Sequence, residues 1–122
     1  MRLYVYKLVT TFLYNGVKEV NIVAENKVEL GGVLVDFSAR RVFVGGEEIR
    51  LMPQEFNLLM VLIKYHDCAL SREKLLQLAW GYTYAGDTRT VDVHIQKLRQ
   101  KLGLEKTIQT VFKLGYRLNA DI

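Results

Sequence analysis

Residues 88–103, TRTVDVHIQKLRQKLG, carry the clearest periodicity in the chain. Val91, Ile95, Leu98 and Leu102 recur at the spacing i, i+4, i+7, i+11, which places them on one narrow stripe of an α-helix turning about 100° per residue. Such a stripe is stable only against other apolar elements. Asp87 or Thr88 can cap the start of this helix and Gly103 can close it. Arg89, Thr90, Val93, Gln96, Lys97 and Gln100 lie roughly opposite, with His94 and Lys101 on one flank and Asp92 and Arg99 on the other. Val93 is the anomaly, because no core requires an apolar group on that side. On a helix that reads DNA, Val93 can touch a thymine methyl, Gln96 can pair with adenine and Lys97 can donate to guanine O6/N7. Arg89 and Thr90 fall in the first turn, where free N–H groups and the positive end of the helix dipole favour phosphate. Periodicity alone leaves an ordinary solvated face equally open.

Charge placement sharpens the choice. Residues 1–61 hold seven Lys/Arg against seven Asp/Glu, whereas residues 88–117 hold seven against two. The basic excess of the chain therefore sits in the amphipathic helix and the segment after it, which points to a polyanionic partner. Half of the 122 residues are hydrophobic and a quarter are charged, a balance that supports one domain with a real core. No apolar run approaches the length of a bilayer span, so no membrane association is expected. The start, MRLYVYKLVTTFLY, is interrupted by Lys7 and lacks a small-residue cleavage site, so it does not read as a secretory signal. Cys68 is the single cysteine, which excludes an intramolecular disulfide and a cysteine zinc cage and suggests a reducing, cytoplasmic location.

Along the chain, β-branched and aromatic runs at 3–14 and 17–23 flank Asn15-Gly16, a strong hairpin signal. The stretch KVELGGVLVDFSARRVFVGGEEIRL then splits into short extended runs at Gly31-Gly32, Ser38-Ala39 and Gly45-Gly46 and predicts a small antiparallel meander, with Arg40, Arg41 and Arg50 facing solvent. Pro53 opens a first helix with Phe56, Leu59, Leu62 and Ile63 on one face, widened by Leu58, Met60 and Val61. Ser71 caps a second helix that stops near Gly81. A turn-rich loop, GYTYAGD, leads to the amphipathic helix, and TIQTVFKLGYRL closes the chain as two β-type runs around 112–115. Three helices followed by a hairpin form a winged helix-turn-helix of the α+β class. Lys113 at the hairpin tip would approach a neighbouring groove or phosphate.

Four segments in this order, MPQEFNLL (52–59), SREKLLQLAWG (71–81), RTVDVHIQKLRQKLG (89–103) and TVFKLGYRL (110–118), resemble the C-terminal effector domains of OmpR/PhoB-type response regulators. The resemblance runs over about 28–118, and the block-by-block match makes it far more specific than any one segment. It implies an N-terminal antiparallel sheet of four strands, three helices and a C-terminal β-hairpin wing. The implied division is a β-type extension at 1–27 and a winged-helix DNA-binding domain at 28–119. Helix 88–102 would read the major groove of double-stranded DNA, and the wing, 107–118, would lie on the backbone and minor groove. By position, Arg72, Trp80, Arg89, Thr90, His94 and Tyr116 match places that hold phosphates. Val93, Gln96, Lys97 and Thr110 match places that face bases. Tyr82, Thr83, Tyr84, Ala85 and Gly86 match a loop that touches RNA polymerase. A homodimer on repeated half-sites is the implied assembly. Three departures stand out: Met52 replaces the usual Thr before the proline, Gln96 stands where many relatives carry a basic residue, and Phe112-Lys113 replaces a common Arg-Gly at the wing. Residues 1–27 are too short for the receiver domain such regulators normally carry. The chain is then either an excised effector domain or an atypical regulator with a short β-type extension.

Other chemistries find little support. His94 lacks a partner for base catalysis, Ser71 reads as a cap, and Cys68 reads as a small buried or half-buried hydrophobe. Trp80 fits a core position as well as a phosphate contact, and Tyr82 and Tyr84 fit either an exposed contact surface or loop packing. No catalytic constellation, metal-ligand spacing or cofactor-binding motif stands out, so neither enzymatic activity nor a cofactor is expected. The rival functional reading is a winged-helix protein-interaction module that does not bind DNA.

Overall fold

The computed structural model describes the backbone of residues 2–14 and 17–120 and the side chains of residues 27–120. Strands β1 (Arg2–Tyr14), β2 (Val17–Leu30), β3 (Val33–Asp36), β4 (Arg41–Val44) and β5 (Glu47–Ile49) form one antiparallel sheet in sequence order. β1 and β2 pair from Arg2↔Glu29 to Tyr14↔Val17, and β2 continues through to Leu30, where β3 takes up its other edge. The sheet thus has five strands where the resemblance implies four. The Asn15-Gly16 turn expected between β1 and β2 lies outside the described residues. Two Gly-Gly pairs make the tight corners: Gly31 and Gly32 stand at φ 54° and 82°, and Gly45 and Gly46 at 59° and 85°. Two successive positive φ values match the right-handed twist of the flanking strands, and residues with a Cβ resist them.

Helices α1 (Pro53–Lys64), α2 (Arg72–Trp80) and α3 (Arg89–Leu102) follow. α1 starts without a side-chain cap at Met52, as that substitution predicts; instead the Met52 N–H donates to Glu55 Oε1 at 2.8 Å. Ser71 caps α2, its Oγ accepting from the Lys74 N–H at 3.0 Å. For α3 the cap is Asp87, whose Oδ1 accepts from the Arg89 N–H, while Thr88 makes no side-chain cap. The stripe Val91, Ile95, Leu98 and Leu102 is buried to 3% exposure or less. It joins Phe56, Leu58, Leu59, Leu62, Leu75 and the inward residues of the sheet, Val28, Leu30, Val33, Val35 and Val42, in one core. Each fully buried aliphatic side chain contributes about 1.5–3 kcal/mol of transfer free energy.

Strands β7 (Ile108–Val111) and β8 (Gly115–Leu118) form the C-terminal hairpin. A two-residue strand, β6 (Leu70–Ser71), adds to its β8 edge and makes a three-stranded sheet. So short a strand has no period to read. Cys68 departs from expectation: it is exposed, because α1 ends before it and Asp67, at φ 64°, turns the chain away from the core. No helix among the described residues is long and apolar enough to cross a membrane.

Candidate nucleic-acid interface

The outward face of α3 is built by subtraction. With the stripe buried, Val93 is left 52% exposed, and Gln96 and Lys97 are exposed beside it. The side chains of Gln96 and Lys97 make no hydrogen bond or ion pair among the described residues. Two neighbouring cations of α3, Arg99 and Lys101, are committed to protein acceptors. Arg99 lays its guanidinium on the wing, with Nε and Nη2 donating to the Ile108 carbonyl at 3.0 and 2.7 Å. Its Nη2 also donates to Thr110 Oγ1 at 2.9 Å. Lys101 reaches back to α1, its Nζ 2.7 Å from Glu55 Oε1. Glu55 is fully buried, and its Oε2 has no hydrogen-bond partner among the described residues. Burial pushes the Glu55 carboxyl up. The Lys101 hydrogen bond, the Met52 N–H and the charges of Lys101 and Lys97 outweigh it and hold the group below its ordinary value.

Asp92 is the joint between α2, α3 and the wing. Its Oδ1 accepts from Arg72 Nε at 2.7 Å and from the Tyr116 hydroxyl. The guanidinium carbons of Arg72 and Arg99 lie 5.2 and 5.4 Å from the Tyr116 ring centre. The Asp92 hydrogen bond raises the Arg72 guanidinium further above its ordinary range. Burial, then the Asp92 hydrogen bond, pushes the Tyr116 phenol up and keeps it neutral. Tyr116 is itself 5% exposed with its hydroxyl engaged, so in this structure it positions α3 and the wing. Arg72 is partly exposed and tied to the same carboxylate. The sequence pattern places Asp92 and Arg99 on one flank of α3 and gives neither of them a role. Their partners lie nine or more positions away, beyond the reach of any local pattern.

The remaining expected positions gather around the start of α3 and the wing. Arg89 is exposed and paired with Asp87 at 2.7 Å, a surface pair of the kind that contributes little and can exchange its partner. His94 donates from Nδ1 to the Thr90 carbonyl at 2.7 Å, which leaves Nε2 for a partner. Its ring meets Trp80 edge-on at 5.0 Å, and Trp80 packs half-buried against the core. The first-turn N–H groups differ from expectation. Those of Arg89, Thr90 and Val91 already donate to Asp87 Oδ1, the Asp87 carbonyl and the Thr88 carbonyl. The helix dipole remains there, but free donors do not. Thr110 is exposed on β7, and Lys113 is exposed in the turn at φ 60°. In the loop before α3, Tyr84 lies against Trp80 at 6.4 Å and over Gly86, where a Cβ would come within 2.1 Å of the ring. Tyr82, by contrast, is 71% exposed.

Residues 46–118 match the family model described as the C-terminal domain of transcriptional regulatory proteins. The chain is 39% identical over 103 residues to the transcriptional regulatory protein YclJ of Bacillus subtilis, covering 82% of this chain and 45% of that protein. It is 37% identical to the heme response regulator HssR of Staphylococcus epidermidis, covering 81% of this chain and 46% of that protein. The chain therefore spans about half the length of these curated relatives. Among solved structures, it resembles the DNA-binding domain of Klebsiella pneumoniae RstA in complex with the RstA box. There the TM-score is 0.67 at 34% identity, over 77% of this chain and 97% of that one. It also resembles the DNA-binding domain of Bacillus subtilis CssR, with a TM-score of 0.65 at 34% identity over 70% of this chain and 98% of that one.

Proposed function

Because the chain belongs to the family of transcriptional regulatory protein C-terminal domains, we propose that it binds double-stranded DNA sequence-specifically and serves as the effector module of a transcriptional regulator. Residues 88–102 enter the major groove, where Val93, Gln96 and Lys97 face base edges, with Thr110 close by. Arg72, Trp80, Arg89, Thr90, His94 and Lys113 line the phosphate backbone, and Tyr116 holds the frame on which they stand. One observation carries the reading: Val93, Gln96 and Lys97 stand exposed together on α3, and neither polar side chain makes a hydrogen bond or ion pair among the described residues. The cations around them, Arg72, Arg99 and Lys101, are fixed to the protein.

The module works in a reducing, cytoplasmic compartment, as a DNA-bound homodimer on repeated half-sites. Residues 1–27 extend the sheet of the winged-helix unit at 28–119. The loop of Tyr82, Thr83, Tyr84, Ala85 and Gly86 is its contact with RNA polymerase, an assignment supported by the exposure of Tyr82. A gel shift with a random duplex pool tests the function, with Lys97→Glu as the control. Salt-sensitive retardation by the native chain, weakened and less selective in the variant, is the expected result. A chain that captures a protein partner but retards no duplex is an interaction module instead.

A further inference from the structure

The wing tip carries an apolar exposure that the core does not explain. Phe112 is 85% exposed, the most open of the large hydrophobic side chains described, and Leu114 beyond it is 42% exposed. Between them Lys113 adopts φ 60°, a left-handed conformation that a residue with a Cβ holds under strain. Its Nζ lies 5.5 Å from the Phe112 ring centre, so an ammonium and a ring are presented together.

The base beneath this tip is rigidly held. Arg99 ties β7 to α3 through the Ile108 carbonyl and Thr110 Oγ1. Tyr116 ties β8 to Asp92, and the Arg72 N–H donates to the Leu114 carbonyl at 3.4 Å. At Gly115 a Cβ would fall 2.1 Å from the Leu70 carbonyl oxygen, so β8 meets β6 too closely for any other residue. The turn 112–114 is therefore set at a fixed offset from the recognition face of α3.

Resting on the DNA-binding reading above, we propose that Phe112 is a minor-groove wedge. Its ring seats against the sugars and base-pair edges of the groove beside the one α3 occupies and opens a base step there, while Lys113 holds a flanking phosphate. An apolar wedge with an adjoining cation suits that groove, which is narrow, apolar-walled and bordered by phosphates. The consequence is a preference for easily unstacked TA or CA/TG steps at a flanking position that no side chain hydrogen-bonds.

The test begins with site selection from random duplex DNA by the native chain, Phe112→Ala, Lys113→Ala and Lys97→Glu. Titrations follow on the selected duplex, with 2-aminopurine at the flanking step. Phe112→Ala should melt like the native chain, lose about tenfold in affinity, keep the native salt slope, and lose both the flanking preference and the 2-aminopurine fluorescence rise. Lys113→Ala should flatten the salt slope by about 0.9. If Phe112→Ala matches the native chain in affinity, flanking preference and fluorescence while Lys97→Glu is impaired, the wedge is overturned and the DNA-binding reading stands. If the native chain binds no duplex, both fall. Loss confined to cooperative binding on tandem sites would give the ring to a second copy of the chain and also overturn the wedge.

Discussion

Lys97 and Lys101 sit one helical turn apart on α3, yet they are assigned opposite tasks. Lys101 forms an ion pair with the buried Glu55 carboxylate, whereas the exposed Lys97 acts on that carboxylate only through its charge and makes no side-chain hydrogen bond or ion pair among the described residues. Lys97→Glu should leave the melting temperature within a degree or two and relax base preference by about 1–3 kcal/mol, as read from competition titrations. Lys101→Met should do the reverse. Stranding a buried carboxylate costs about 3–5 kcal/mol when the pair is fully buried, and the 35% exposure of Lys101 reduces this to about 2–3 kcal/mol in urea unfolding. Glu55 also sets a pH dependence. Its carboxyl titrates lower in the folded chain than its usual value of 4.5, so its contribution is complete above that value and is lost as pH falls through the folded one. Melting temperatures between neutral pH and about pH 3 should fall less steeply for Glu55→Gln than for the native chain, from a lower start. The sequence distinguishes the two lysines only in part: Lys97 reads as a base-facing position and Lys101 as a flank of the same helix, and the carboxylate that holds Lys101 lies 46 positions away.

Elements are more legible in the residues than the joints between them. The α3 stripe, the Ser71 cap, the missing cap at Met52 and the Gly-Gly corners are local or periodic, and each sits where the residues predict. Asp92 is a different kind of feature, one side chain that fastens α2, α3 and β8 through Arg72 and Tyr116. Asp92→Ala should therefore reduce stability by about 1–3 kcal/mol and weaken binding to all duplexes alike, because α3 and the wing lose their common register. Arg89→Ala touches only an exposed pair with Asp87. It should leave unfolding unchanged and flatten the salt dependence of binding by about one phosphate contact. Calorimetry beside salt titrations separates the two variants. β6 escapes sequence reading for a similar reason: two residues show no period, and pairing with β8 is a tertiary event.

At the scale of the molecule, the chain joins a sheet to a winged helix through one continuous core; the residue pattern predicts the elements in this order, and the resemblance to effector domains implies their architecture. The fifth strand follows from β1 pairing along the length of β2. The basic excess of residues 88–117 overstates what is open to a ligand, since Arg99, Lys101 and Arg117 are tied to the protein; Arg89, Lys97, Lys106 and Lys113 remain exposed. The measurement that bears most directly on the central claim is the affinity for the selected duplex against salt concentration, compared with a scrambled duplex. The expected result is a log–log slope of several units for both, about 0.9 for each phosphate contact, and a preference for the selected site that Lys97→Glu removes. A flat salt profile, or equal binding of both duplexes by the native chain, would contradict it.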